Sequence, residues 1–313
     1  MLSRVADSLY WMSRYMERSD GMLRMVRVNY AYSQEQGIDF SWGPLLTMFA
    51  GSHTEEKIDV LRFQSRESLK HMVLDKGNNN SVLNIVAGAR ENARSVQDHV
   101  TKELWQSLND FYHTMRDGHL QKLLETEDPV TVIDQLIKQV MHFYGSAEIT
   151  MPRGQGFYFM NMGKFLERAQ QSVDVLEAKF SELDYSLEAH ADDPAYWKYL
   201  LMSVSGYEIF LKSYRSSLGP RNIVHQIIWN ANFPRSILYS LTRLKQSFET
   251  IKTDREMEGY KTVSYMIGKL QSRIMYTDMK DLESQGVQTF LKNVKDDLIA
   301  IGNALNHYYF AIH

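Results

Sequence analysis

Two Glu-Arg pairs stand 150 residues apart in the chain, each inside an otherwise apolar stretch with helical spacing. The first is Glu17-Arg18 and the second is Glu167-Arg168; Arg14 precedes the first pair by three residues, and a lysine takes that place before the second. Residues three and four apart lie on the same side of an α-helix, so these charges share one stripe of each helix. Arginines in such a stripe can hold a carboxylate or a phosphate through two N–H groups, while a glutamate can act as a general base or accept an amine. The pattern is therefore compatible with a ligand-binding or catalytic site.

A third charged run, Ala89–Arg94, lies between the two pairs. Arg90 and Arg94 are one helical turn apart, and Glu91 precedes Arg94 by three residues. Two interpretations of all these charges remain open. In the first, the charged side chains form a pocket for a peptide or a small anionic ligand. In the second, they form a salt-bridge lattice that fixes the register of packed helices, since a buried charge without its partner is costly.

The motifs recur in the same order along the chain. The Arg-Ser-Val sequence that begins at Arg94 returns as Arg-Ser-Ile at Arg235. This order indicates a duplicated helical unit, with halves of roughly residues 1–150 and 151–313 in a single helical domain. If equivalent faces of the halves meet at a pseudo-twofold axis, both motif glutamates will be shielded from solvent on helices that pack near each other. We then expect Arg90 or Arg94 to pair with one of those glutamates.

Composition narrows the class of protein. The chain has 313 residues, of which 44% are apolar, and this is enough for a substantial core. Its 35 lysines and arginines are balanced by 38 acidic residues, which argues against a nucleic-acid partner. Cysteine is absent, and this fits a reducing compartment. Charged residues recur every few positions from the N-terminus onward, so we expect a cytoplasmic protein with no membrane segment.

Metal and nucleotide motifs are missing from the sequence. Helical di-iron proteins need a histidine three residues after a glutamate, twice, and no such pair occurs. The glycine-rich Gly154-Gln155-Gly156 lacks the third glycine and the preceding strand of a dinucleotide-binding loop. We therefore predict no metal, no cofactor and no ATP site of a known loop type.

The elements that must position the charges are helices. Only six prolines occur, apolar residues recur at intervals of three and four, and sustained alternation is absent. We predict an all-α fold, a single bundle of about ten helices, in which Gly118, Gly145 and Gly219 mark helix ends. The predicted helices span residues 3–34, 53–75, 81–116, 129–145, 155–185, 194–217, 221–228, 234–254, 258–278 and 282–311.

Three segments together resemble the alpha-E domain family, which is named for its helices and its Glu-Arg motif. They are Leu2–Arg18, Ala89–Arg94 and Gly163–Ala169, and the Pro234-Arg235-Ser236 element follows in the order that the family shows. The resemblance spans nearly the whole chain. Two positions depart from the family pattern: Arg153 stands before the glycine where an acidic residue is usual, and Phe233 replaces the asparagine that commonly precedes the proline.

The resemblance implies a bacterial protein encoded beside, or fused to, a circularly permuted ATP-grasp protein, often together with a transglutaminase-like protein. It therefore implies a peptide-modification or amide-ligation system, with these proteins as partners.

Three functions are compatible with the sequence. As an interaction module, the chain would dock the ATP-grasp partner or present its substrate. As an enzyme, a hydrolase or transferase, it would use Glu17 or Glu167 with Arg90 and Arg94 in a pocket between the halves. As a scaffold, its charges would be purely structural. The first function is favoured because no set of acid, base and nucleophile is recognisable.

Overall fold

The computed structural model describes residues 2–36, 40–49, 55–188, 194–214, 218–251 and 257–311. The regular structure of these ranges is helical, and no β-strand occurs in them. The predicted all-α class is confirmed.

The chain divides into two compact units, which we name by their place in the sequence. The middle unit consists of residues 15–152, and the terminal unit consists of residues 1–14 and 153–313. Helix α1 (Ser3–Gln36) contributes to both units. The origin of the chain by duplication of two halves stays a prediction.

The middle unit contains the larger part of α1 and, within the described residues, seven further α-helices. Helix α6 packs against α5 and α8, and its buried residues recur at intervals of three and four, as the apolar stripe of an amphipathic helix requires. The seven helices are α2 (Gly43–Met48), α3 (Glu55–Leu61), α4 (Ser65–Val73), α5 (Val82–Ser95), α6 (Lys102–Arg116), α7 (Gly118–Thr126) and α8 (Pro129–Thr150).

The terminal unit is organised around one long helix, α9, which packs against α13 and α16. A π-helical turn, Asn306–Phe310, follows the last α-helix. The α-helices of this unit after α1 are α9 (Gln155–Ser181), α10 (Pro194–Ser203), α11 (Tyr207–Ser213), α12 (Pro220–Trp229), α13 (Ile237–Thr250), α14 (Glu258–Tyr276), α15 (Met279–Gln285) and α16 (Val287–Leu305).

Several helices begin at capping residues that satisfy their first N–H groups. The Asp128 carboxylate accepts hydrogen bonds from the N–H groups of Val130 and Thr131, both at 3.2 Å, and Pro129 takes the first helical position of α8. Ser236 caps α13 in the same way by accepting from the N–H of Tyr239 at 3.0 Å.

The predicted count of about ten helices is too low, because the described residues contain sixteen α-helices. Predicted helix 81–116 breaks after Ser95, where Val96 leaves helical geometry and a short 3-10 turn follows before Thr101 caps α6. Predicted helix 194–217 breaks near Ser205, whose φ is +54°. Gly286, with φ +85°, separates α15 from α16 inside the last predicted segment.

Other predicted boundaries also shift. Predicted helix 53–75 is interrupted between α3 and α4, and the predicted ends at residues 53, 217 and 254 lie outside the described residues. Gly118 begins α7, because the Asp117 carboxylate accepts from the N–H of His119 at 2.9 Å and starts a helix that the sequence did not predict. Gly145 lies inside α8, which continues to Thr150. The helix ends there because Pro152 disfavours helical geometry at the preceding residue, Met151.

Among the helices of the described ranges, none combines the length and the apolar character that crossing a lipid bilayer demands.

Candidate functional site

Arg14, which lies three residues before the first Glu-Arg pair, forms a buried ion pair inside the terminal unit. The Nε of Arg14 donates to Oε2 of Glu167 at 2.8 Å, and its Nη2 lies 2.7 Å from the same oxygen. Nη2 also donates to Oε1 of Gln170 at 2.5 Å. Arg14 is 9% exposed and Glu167 is 3% exposed, so the pair is removed from bulk water.

A glycine permits the close helix packing that brings this pair together. A Cβ atom at Gly163 would lie 2.2 Å from the carbonyl oxygen of Tyr10 and 3.2 Å from the side chain of Arg14. Only a residue without a side chain lets the first turns of α1 approach α9 this closely. The packing of the N-terminal part of the first Glu-Arg helix against the second, which the sequence predicted, is observed here; a twofold relation between the helices stays a prediction.

Two aromatic residues complete the surroundings of Arg14. Its guanidinium carbon lies 4.8 Å from the Trp11 ring centroid and 5.7 Å from that of Tyr10, whose hydroxyl accepts from Nη1 at 3.4 Å. Burial alone would lower the pKa of Arg14, but the Glu167 carboxylate and the Tyr10 hydroxyl outweigh it and raise the pKa. Burial also raises the pKa of Tyr10, although the nearby Arg14 opposes the shift. Arg14 is therefore a permanent cation whose donors face protein acceptors.

The first motif glutamate lies in the middle unit and is fully buried. Glu17 is 0% exposed and accepts a hydrogen bond from the Tyr144 hydroxyl at 2.7 Å. One turn further along α1, the Nε of Arg24 donates to both carboxylate oxygens of the buried Asp20, at 2.9 and 3.0 Å. The prediction that Glu17 and Glu167 are shielded from solvent is confirmed.

The second residues of the two pairs are less buried than the glutamates. Arg18 and Arg168 are both half-buried. Nη1 of Arg168 donates to the carbonyl oxygen of Pro234 at 3.3 Å, next to the start of α13. Arg235 is also half-buried, and its carbonyl oxygen accepts from the Ser172 hydroxyl at 2.7 Å. The backbone at Pro234 and Arg235 is thereby tied to α9.

Arg90 is held between aromatic rings and hydrogen-bond acceptors in the middle unit. Its guanidinium carbon lies 4.5 Å from the Tyr112 ring centroid and 5.4 Å from that of Trp105. Nε donates to Oδ1 of Asn109 at 2.9 Å, and Nη1 donates to Glu91 at 3.0 Å. The side chain retains 18% of its exposure. Stacking and hydrogen bonds thus hold the guanidinium at the surface of α5 and α6.

Arg94 lies one turn further along α5 and is far more exposed. Its side chain is 63% exposed, and its Nε lies 3.5 Å from Glu91. Arg90 and Arg94 therefore find their charged partner on their own helix. The predicted pairing of either arginine with Glu17 or Glu167 is wrong within the described residues, because Arg90 stacks on the aromatic side chains of α6 and Arg94 extends into solvent.

The sequence reasoning missed several residues that complete these clusters. Tyr144 and Gln170 carried no recognisable signal, because each acts through a helix distant in sequence. Trp105, Asn109 and Tyr112 did carry one, since spacings of four and three place them on a single side of α6. An aromatic and amide stripe of this kind suits an arginine from a neighbouring helix.

In the described part of the chain, no group of three or more histidine, aspartate or glutamate side chains is placed to hold a metal ion.

Comparisons with known proteins agree with the Glu-Arg pattern. The sequence model of the alpha-E family, described as a predicted α-helical domain with a conserved ER motif, matches residues 1–310. Uncharacterised proteins of Mycobacterium bovis and Mycobacterium tuberculosis are each 21% identical over 335 residues, which cover 96% of this chain. The chain spans 37% of the length of these relatives. No solved structure matches the chain.

Proposed function

Because this chain belongs to the alpha-E family, we propose that it is a non-ATP-binding component of a bacterial amide-ligation or peptide-modification system. In this proposal it docks an ATP-grasp protein, or presents the substrate of that protein, and a transglutaminase-like protein belongs to the same system. The docking surface is the exposed side of α5 and α6 around Arg90, Arg94, Trp105 and Tyr112.

The observation that carries the proposal is the different placement of the motif carboxylates and arginines. Glu17 and Glu167 are buried and already accept hydrogen bonds from protein donors, Tyr144 in one case and Arg14 in the other. A general base must reach the proton that it removes, directly or through one water molecule. Carboxylates so enclosed support structure better than they support hydrolysis or transfer, so the enzyme alternative is the weaker one.

The arginines of the Ala89–Arg94 run have the opposite character. Arg90 is held by two aromatic rings and Asn109, and Arg94 extends into solvent. Energetically dominant residues of protein interfaces are enriched in Trp, Tyr and Arg. A guanidinium that is already oriented loses little conformational entropy when it meets a carboxylate. This composition supports contact with an acidic segment of a partner or with the carboxylate of a peptide.

The relatives are compatible with a component role. In the mycobacterial proteins the region similar to this chain occupies 37% of a longer polypeptide. The ATP-grasp partner itself comes from the family resemblance and is part of the proposal.

The buried ion pair favours a structural role for one part of the motif. Arg14 and Glu167 satisfy each other, and Gln170 and Tyr10 take further donors of the arginine. We assign this pair to holding α1 against α9, as the scaffold interpretation requires. The binding role is assigned to α5 and α6 alone.

A direct binding measurement tests the proposal. The purified chain is titrated with the ATP-grasp protein of the proposed system, and the dissociation constant is compared for wild type, Arg94→Gln, Arg90→Lys and Lys122→Gln. Lys122 is an exposed cation of α7, so its variant controls for the loss of one positive charge from the middle unit. We expect Arg94→Gln to weaken binding about tenfold, which corresponds to about 1.4 kcal/mol.

Arg90→Lys distinguishes an oriented guanidinium from simple charge attraction. Lysine keeps the charge but has no planar fork to stack and hydrogen-bond. We expect it to weaken binding as Arg94→Gln does, while Lys122→Gln changes little. Failure of the wild-type chain to bind, or equal losses in all three variants, would overturn the proposed docking surface.

A further inference from the structure

A cavity of about 150 Å³ lies in the middle unit, where α7 packs against α6 and α8. Because α7 has 9 residues and α8 has 22, α7 covers only part of α8, and the cavity opens to solvent beside it. We call it the α7 cavity. An engineered cavity of about this volume in another protein holds benzene, so the α7 cavity has room for one ring or one branched aliphatic group.

The inner wall of the α7 cavity is apolar. Leu120 of α7 and Val132 and Leu136 of α8 line it, and all three are buried. Val132 and Leu136 are four residues apart and therefore present neighbouring side chains on one side of α8. Transfer of an apolar group from water to such a wall is favourable. The inner wall thus suits the apolar part of a ligand.

Polar side chains form the outer part of the lining. Gln135 of α8 and His119 of α7 are exposed, and Gln139 is half-buried. Within the described part of the chain, the side-chain amides of Gln135 and Gln139 have no hydrogen-bond partner. Each amide offers a C=O acceptor and N–H donors. Since the two glutamines are one helical turn apart, they can together bond to an N–H and a C=O of the same ligand.

The charge of the lining excludes an anionic ligand. Asp117 is acidic, and its carboxylate caps α7 by accepting from the N–H of His119 at 2.9 Å. Among the residues that line the cavity in the described ranges there is no lysine or arginine. An anion brought into this lining would lose water without gaining a counter-charge, which is costly. A neutral ligand with an apolar group and an amide fits the lining better.

We propose that the α7 cavity binds one apolar residue of a peptide. A side chain of the size of leucine or phenylalanine contacts the inner wall, and the backbone N–H and C=O groups beside it bond to Gln135 and Gln139. The choice of a peptide among amide-bearing ligands rests on the proposed peptide-modification function. The apolar, uncharged character of the bound residue follows from the lining alone.

This site is separate from the docking surface on α5 and α6. Thr114, which lines the cavity, follows Tyr112 of the docking surface by two residues. Two residues turn an α-helix by about 200°, so the two side chains leave α6 on nearly opposite sides. In this proposal the docking surface contacts the partner protein, while the α7 cavity holds a residue of the substrate.

Two blocked amino acids test the cavity with the purified, isotope-labelled chain. N-acetyl-leucinamide carries two amides and a branched side chain, whereas N-acetyl-glycinamide carries the amides alone. Each is titrated while the NMR signals of the Gln135 and Gln139 side-chain amides are followed. We expect saturable shifts with the leucine probe and about tenfold weaker binding of the glycine probe, because the glycine probe buries no side chain.

A cavity-filling variant is compared with a matched control. Thr114→Phe places a ring in the cavity and should weaken binding of the leucine probe about tenfold or more. Thr126→Phe is the control: the hydroxyls of Thr114 and Thr126 donate to the carbonyl oxygen four residues earlier, at 3.0 and 2.9 Å, but Thr126 does not line the cavity. It should leave binding unchanged.

A second pair of variants covers the case in which Thr114→Phe does not fold. Gln135→Ala truncates an exposed side chain and should weaken the leucine probe about threefold or more by removing one hydrogen bond. Gln121→Ala removes an exposed glutamine of α7 outside the lining and should have no effect. Shifts that never saturate, equal binding of both probes, or equal losses in a variant and its control would refute the site.

The outcome is independent of partner docking. Thr114→Phe should still bind the ATP-grasp protein, because the cavity lies outside the docking surface. If the leucine probe binds and the ATP-grasp protein does not, the cavity site stands and the proposed function fails. If the ATP-grasp protein binds and the leucine probe does not, the cavity site alone is wrong.

Discussion

Nη2 of Arg14 lies 2.7 Å from Oε2 of Glu167, and this contact joins the first Glu-Arg helix to the second through residues 153 positions apart. Arg14 lies three residues before Glu17 of the first Glu-Arg pair, and Glu167 is the first residue of the second pair. The contact packs α1 against α9 in the terminal unit, with an arginine of the first Glu-Arg helix meeting the glutamate of the second Glu-Arg pair.

The first prediction concerns the stability that this ion pair provides. Glu167→Ala should lower the free energy of unfolding by about 3–5 kcal/mol, because it leaves the Arg14 guanidinium buried without its counter-charge. Glu167→Gln should cost less, since an amide oxygen can still accept one hydrogen bond. Urea unfolding followed by circular dichroism measures both changes. Glu188→Gln is the control: Glu188 belongs to an ion pair with Arg221 and is 74% exposed, so a change below about 1 kcal/mol is expected. Equal costs for Glu188→Gln and Glu167→Ala would contradict the structural role.

The second prediction concerns the glycine contact between α1 and α9. Gly163→Ala should destabilise the protein by about 2 kcal/mol or more, because the new Cβ would meet the backbone carbonyl of Tyr10, which cannot move aside as a flexible side chain can. Gly268→Ala is a matched control inside α14 of the same unit, where an added Cβ meets nothing within 4 Å. The control should stabilise the protein by up to about 1 kcal/mol, because alanine favours helix over glycine. Thermal melting of the two variants should therefore move in opposite directions, and a common direction would argue against close packing at Gly163.

The third prediction concerns the pH dependence contributed by Asp75 after α4. Burial raises the pKa of Asp75, but hydrogen bonds from the Gly77 N–H, His71 and Lys57 together outweigh it and hold the pKa below its usual range. The unfolded chain therefore binds this proton at higher pH than the folded chain does. The ionised Asp75 carboxylate therefore stabilises the folded state fully at pH values above the usual pKa of an aspartate. This stabilisation is lost as the pH falls through the lower pKa of Asp75 in the folded state.

Asp75→Asn checks that sign. The variant should melt below wild type at pH 7, and the difference between the two should shrink as the pH is lowered through the acidic range. Comparing the two proteins at each pH cancels the titration of other groups. A difference that is constant with pH, or that grows toward acid, would show that the Asp75 charge is not what stabilises this turn.

The fourth prediction separates structural charges from binding charges in the motif. Under the proposed function, Glu17→Gln and Glu167→Gln should reduce the amide-forming activity of the system, reconstituted with an ATP-grasp protein, only in proportion to the folded protein that is lost. Arg94→Gln should melt within about 0.5 kcal/mol of wild type, as surface substitutions usually do, and still reduce that activity. Thermal melting and activity are measured on the same preparations, with Arg90→Gln alongside. If every loss of activity matches a loss of folded protein, the charges serve the scaffold alone.

Helix periodicity in the sequence was sufficient for the fold class and for the burial of two charges. Spacings of three and four placed Glu17 and Glu167 on otherwise apolar faces, and both residues are buried. The breaks inside long predicted helices were less accessible, because they depend on single residues such as Ser205, whose left-handed backbone is held by the surrounding packing.

The partners of the buried charges were decided by the tertiary structure. Helical spacing defines which side of a helix a residue occupies, and it carries no information about which other helix covers that side. For that reason Arg90 and Arg94 were equally reasonable partners for the motif glutamates on sequence grounds. Because Gly163 allows α1 to approach α9 closely, Arg14 pairs with Glu167. Because the aromatic side chains of α6 stack on Arg90, that arginine stays at the surface. The residue types and their faces were local properties of the sequence, whereas the pairing depended on packing between residues far apart in the chain.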